Sequence, residues 1–98
     1  MALRKLLTIV CGADLERTLI GELTAHGVRG YTVTDARGHG AHGARDGLWP
    51  HAANIRIEVL CDERLASAIA GDLQARYYER YGMVIFIADV LVLRPGKF

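Results

Sequence analysis

Residues 38 to 53 hold most of the side chains in this chain that are equipped to bind something. The stretch Gly38-His39-Gly40-Ala41-His42-Gly43-Ala44-Arg45-Asp46-Gly47-Leu48-Trp49-Pro50-His51-Ala52-Ala53 sets three histidines, one arginine and one tryptophan among four glycines. Arg45 presents a planar donor fork suited to phosphate. His42 adds a donor, or a charge when protonated. At Gly38 and Gly40 the backbone can come close to a flat ring and read its edge with amides and carbonyls. His39-x-x-His42 has a spacing open to a metal, but binding would have to order a glycine-rich loop at the same time, and no metal is assigned. Trp49-Pro50 is read equally as a partner-binding anchor or as packing against its own subunit. No general base and no carboxylate pair is evident around the loop, so binding without turnover is expected, not an enzyme.

The two thiols, Cys11 and Cys61, end the first and third expected strands. If those strands lie side by side the thiols can approach each other as a redox pair, although two small buried hydrophobes are the simpler expectation. Their spacing fits neither a zinc finger nor a disulfide framework.

These groups must be positioned by a small chain. It has 98 residues, 51% hydrophobic and 23% charged, with twelve Lys and Arg against eleven Asp and Glu. One domain, 1–98, is expected, with a flexible ligand or partner loop at 38–53 and a short tail at 94–98. Near-neutral charge argues against nucleic acid as a partner. No apolar run reaches the roughly 20 residues of a membrane helix. The basic start and apolar stretch from Met1 to Ala13 run at once into Asp14 and Glu16, so they read as a strand and not as a leader, and a cytoplasmic protein is expected.

Leu6 to Cys11 is rich in β-branched and aliphatic residues and reads as the first strand. Asp14 is placed to cap a helix in which Leu15, Leu19, Ile20 and Leu23 recur at helical spacing until His26-Gly27. Gly30 to Arg37 alternates as a strand. Asn54 to Cys61 alternates again, Asp62 is placed as a cap, and Leu65, Ala66, Ile69, Ala70, Leu73 and Tyr77 form the stripe of a helix expected to run to about Tyr81. Val84 to Leu93 is a nearly continuous apolar strand. The order predicts an α+β, ferredoxin-like βαβ-βαβ fold, in which a four-stranded antiparallel sheet carries two helices on one face and a long loop joins strands 2 and 3. Its second face must be solvated or covered by other chains, and outward apolar residues on the last strand favour assembly into a homo-oligomer.

This fold hosts many activities. RNA recognition would need aromatics on the central strands, and Leu6–Cys11 and Ile55–Cys61 contain none. A heavy-metal chaperone would carry two thiols in the loop after the first strand, where this chain has only Cys11. An acylphosphatase-like phosphate cradle would need an arginine there, and the nearest, Arg17, falls in the helix.

Val28-Arg29-Gly30-Tyr31-Thr32-Val33-Thr34-Asp35 with Gly38-His39-Gly40 resembles the second strand and loop entry of PII signal-transduction proteins. The segments Gly40–Arg45, Ala53–Glu58 and Arg76–Gly82 resemble the PII-like branch linked to bicarbonate transport and carboxysomes. The resemblance implies a homotrimeric, non-enzymatic regulator that binds adenine nucleotide at subunit clefts. It implies no prosthetic group. The turn Glu79–Met83 is shorter than in ordinary PII proteins and lacks their lysine, which favours ADP or AMP over ATP, with a cyclic nucleotide as a further alternative. No tyrosine is evident in the loop for uridylylation. Carried onto this chain, the nucleotide site comprises Thr32, Gly38, His39, Gly40, His42, Arg45, Arg56 and Arg94, with Arg45 also the candidate for bicarbonate. A bicarbonate transporter or a carboxysome component is the implied partner, and association with the carboxysome or with a membrane transporter the implied location. The alternative is a structural or metal-binding trimer of the CutA type.

Overall fold

A computed structural model describes residues 1–38 and 53–97. Its elements run β1 (Ala2–Gly12), a 3-10 turn (Ala13–Leu15), α1 (Glu16–Ala25), β2 (Thr32–Ala36), β3 (Asn54–Cys61), α2 (Glu63–Tyr77), β4 (Val84–Val92) and a 3-10 turn at Pro95–Lys97. The strands form one sheet in the order β2-β3-β1-β4, with every neighbouring pair antiparallel. Each helix therefore links two parallel strands across the strand that separates them, the ferredoxin-like arrangement expected from the sequence.

Alternation along the strands divides the side chains between two faces. Leu7, Ile9 and Cys11 of β1 and Ile55, Ile57, Val59 and Cys61 of β3 are buried with Leu19 and Leu23 of α1 and Ala66, Ile69 and Leu73 of α2. Each fully buried Leu or Ile contributes about 1.5–3 kcal/mol of transfer free energy. Leu19 and Leu23, and likewise Ala66, Ile69 and Leu73, recur at helical spacing, so one stripe of each helix is enough to close the core.

Local details depart from the sequence expectation. β1 starts at Ala2 and not at Leu6, because Ala2 to Lys5 pair with Val92 to Asp89 of β4. Lys5 is held there by ion pairs to Asp89 and Glu63, its Nζ 3.5 Å from the Glu63 carboxylate. Asp14 does not cap α1: the chain enters it through the 3-10 turn, and no side chain caps either start. Asp62 does cap α2, its Oδ1 accepting the Leu65 amide at 2.8 Å. α2 ends at Tyr77, four residues short of the expected Tyr81. The Arg80 and Tyr81 amides turn back onto the Tyr77 carbonyl at 3.1 and 3.0 Å. That turn brings the Tyr78 hydroxyl to the Ile85 amide on the outer edge of β4, 3.2 Å away.

The thiols do not meet. In the antiparallel β1–β3 pair, Cys11 stands opposite Ile55 and Cys61 opposite Lys5, so they lie at opposite ends of the pair, six residues or about 20 Å apart. Burial, helped by Asp14 and Glu16, pushes the Cys11 thiol up to about 12. Burial and Asp62 raise that of Cys61 as well. Both stay protonated and inert at neutral pH. Among the described residues, no group of three or more His, Cys, Asp or Glu is placed to hold a metal ion.

Candidate ligand groove

The face of the sheet away from the helices has no layer over it. Its side chains come from the even-numbered residues of all four strands: Thr32 stands opposite Glu58, Thr34 opposite Arg56, Leu6 opposite Leu60 and Ala88, and Val10 opposite Val84. Val84 and Phe86 are about half exposed here, at 48% and 49%. Two half-exposed apolar side chains two residues apart on an edge strand form a small apolar patch on this face.

Across this face runs a groove of about 670 Å³. Leu6, Leu60, Val90 and Val92 supply an apolar floor, and Thr32 and Glu58, directly opposed across β2 and β3, supply the polar edge. The segment Arg29-Gly30-Tyr31 closes one end. A hydroxyl that donates and accepts beside an acceptor-only carboxylate suits the edge of a flat ring bearing an amine and ring nitrogens, and the apolar floor suits its face. The Glu58 carboxylate lies 3.9 Å from the guanidinium of Arg56.

The wall at Gly30 is built by the exit from α1. Gly27, the one residue with positive φ among those described, takes 86°. The Gly27 amide reaches the Thr24 carbonyl and the Val28 amide the Leu23 carbonyl, both at 3.0 Å, a Schellman ending. Val28 packs on the core, and the chain then runs past the groove into β2. On the helix side of the same wall, a smaller cavity of about 220 Å³ is lined by Gly27 to Gly30, Val59 to Asp62 and Leu65.

The residues nominated from the sequence are distributed unevenly. Thr32 lines the groove. Arg56 is exposed on the same face, opposite Thr34 and Val10, and does not line it. Arg94 is exposed two residues beyond Val92, past the end of β4. Gly38 is exposed two residues beyond Ala36, at the far end of β2 from Thr32. His39, Gly40, His42 and Arg45, with Trp49-Pro50, lie outside the described residues. The two ends of that loop are held together, since Ala36 pairs with Asn54 and the Ala13 amide donates to the Ala53 carbonyl at 2.8 Å.

Sequence reasoning missed Leu6, Gly30, Glu58, Leu60, Val90 and Val92. The signal was available in the strand parity: once Leu7, Ile9, Ile57 and Val59 are assigned to the core, Leu6, Glu58 and Leu60 must point the other way.

Residues 4–97 match the family model of nitrogen regulatory protein P-II. The chain belongs to the P-II family. A PII-like signaling protein from Thermus thermophilus is 36% identical over 100% of this chain and 99% of its own, with a TM-score of 0.81. CPII from Thiomonas intermedia K12, a nitrogen regulatory PII-like protein bound to ADP, AMP and bicarbonate, is 28% identical over 99% of this chain and 94% of its own, at a TM-score of 0.82. CPII bound to ADP and bicarbonate matches at 30% identity and a TM-score of 0.83, over 99% and 95% of the two chains. No curated protein matches the chain. Like the P-II fold, this chain is a sheet with one layer of helices. No described helix is long and apolar enough to cross a membrane.

Proposed function

We propose that this P-II family chain is a regulator that binds ADP or AMP in the open-face groove and passes its occupancy to a partner through the 38–53 loop. The observation that carries the reading is the groove itself, apolar on its floor and edged by Thr32 and Glu58. The adenine face stacks on Leu6, Leu60 and Val92, its amine donates to Glu58, and the Thr32 hydroxyl completes the edge. Arg29 stands at the rim, and Arg56 and Arg94 lie within one or two residues of the lining. They are the proposed phosphate contacts, and Gly38, His39, Gly40, His42 and Arg45, at the far end of β2, are the contacts proposed to reach the same ligand from a neighbouring subunit. Bicarbonate is the proposed co-ligand at Arg45, supported by the bicarbonate-bound CPII structures.

A homotrimer fits the open face, where Val84 and Phe86 need a cover. The ligand would then lie between subunits. Occupancy shifts the loop only if the ligand binds one loop state more tightly than the other. A bicarbonate transporter or carboxysome component in inorganic-carbon metabolism is the proposed partner, and the protein is proposed to act in the cytoplasm without catalysing a reaction. The matched family and neighbours lend no support to the CutA-type alternative.

Isothermal titration with ADP and AMP, each with and without bicarbonate, tests the ligand. Saturable binding of either is expected, and no heat with any combination removes the proposal. Sedimentation tests the assembly: a trimer is expected, reduced to monomer by Phe86→Asp with helical circular dichroism retained. A monomeric wild type would refute it.

A further inference from the structure

The groove wall from Gly27 to Gly30 hangs from the end of α1, and that end is tied to α2 by a cluster of charges. His26, the last residue before Gly27, places Nε2 3.1 Å from Asp72 Oδ2. Arg76 donates to Glu22 at 2.8 Å and lies 3.6 Å from Asp72. The Tyr77 hydroxyl donates to the other Glu22 oxygen at 2.7 Å. The groups around His26 are thus Glu22 on its own helix and Asp72, Arg76 and Tyr77 on the facing one. With imidazole neutral, two carboxylates share one guanidinium; with imidazole protonated, the charges balance.

The wall has few other anchors. Val28 is packed, but Gly27 and Gly30 have no side chains, Arg29 is exposed, and among the described residues neither Arg29 nor Gly30 has a main-chain hydrogen-bond partner. Where α1 ends therefore decides where the Arg29-Gly30 wall stands.

We propose that His26 and Asp72 are positioning residues for the groove, and that the charge on His26 sets how firmly the Gly27–Gly30 wall is held and hence how tightly the groove grips its ligand. Imidazole is the side chain whose charge changes around neutral pH. A protonated ring makes a charge-assisted bond to Asp72, about twice as strong as the neutral one. Ligand affinity is lower with the His26 ring neutral than with it protonated, by roughly three-fold for partial loss of that bond. Because the ligand part rests on the nucleotide reading above, the test has an arm that needs no ligand.

In that arm, NMR follows the His26 ring and the Gly30 and Thr32 amides from about pH 5.5 to about pH 8.5, the range in which imidazole titrates. The amides are expected to move with the midpoint of the His26 ring and to lose that response in Asp72→Asn. Amides that ignore the ring overturn the proposal. In the second arm, titration with adenosine, which has no phosphate to ionise, compares wild type with His26→Gln over the same range. The loop histidines are common to both proteins, so the difference isolates His26. The expected result is a roughly three-fold loss of affinity with rising pH in wild type that is absent from the variant. Identical profiles refute the coupling. Failure of adenosine to bind either protein overturns the coupling of His26 to ligand grip, the ADP and AMP titrations decide the nucleotide reading, and the amide shifts decide whether the wall follows His26.

Discussion

The two faces of the sheet are made by the same strands and do opposite things. On the covered face, Leu7, Ile9 and Ile57 are fully buried beneath two helices. On the open face, their immediate neighbours Leu6, Glu58 and Leu60 line a groove. A one-residue step along β1 or β3 passes from a position that stabilises the chain to one that lines the proposed ligand groove. Within the strands, side-chain parity separates the two roles, so strand substitutions on one face should leave the other almost untouched.

The comparison breaks most visibly at Leu7→Ala. Removing a fully buried leucine leaves a cavity in the covered face and should cost about 2–5 kcal/mol, read from the urea midpoint; a cost below about 1 kcal/mol would mean that the face is not the core. Asp62→Ala removes the cap of the covering helix α2 and should cost about 1 kcal/mol in the same assay. Thr32→Val on the open face should weaken ADP or AMP binding by roughly five-fold, the worth of one hydrogen bond, with the unfolding midpoint unchanged. Parallel losses of stability and affinity would show that the two faces are not independent.

Acid should produce the smallest effect. The His26 hydrogen bond holds the Asp72 carboxyl below its ordinary value of 3.8, Arg76 adds to this, and partial burial opposes it. A depressed carboxyl stabilises the folded chain above its unfolded pKa, and that contribution is lost as pH falls through the folded value. Wild type should therefore exceed Asp72→Asn in stability near neutrality, with the gap closing below about pH 4. A gap that persists in acid would mean that Asp72 acts through packing.

Much of the fold was legible because its signals are local. Alternation in Asn54–Cys61, helical spacing in Leu65–Tyr77 and the Asp62 cap each depend on residues close in sequence. The misassigned start of β1 involves a distant partner, since nothing near Ala2 announces that it pairs with Val92. The early end of α2 is a local departure, a turn in which the Arg80 and Tyr81 amides both reach the Tyr77 carbonyl. Asp14 looks like Asp62 in sequence, yet the 3-10 entry to α1 leaves it no capping role. Among the described residues, only Thr32 was both nominated and found in the groove, since the lining is assembled from all four strands.

By itself, the sequence determined the periods of the elements and hence the fold class, because apolar spacing commits each segment to one face. It also carried the resemblance to the P-II family. Tertiary structure decided which side chains share a surface. It drew the two thiols to opposite ends of an antiparallel pair, set Glu58 against Thr32, and tied His26 to Asp72 across 46 positions of chain. Those outcomes depend on register and strand order, which are fixed by the packing of the whole sheet and appear in no local run of residues.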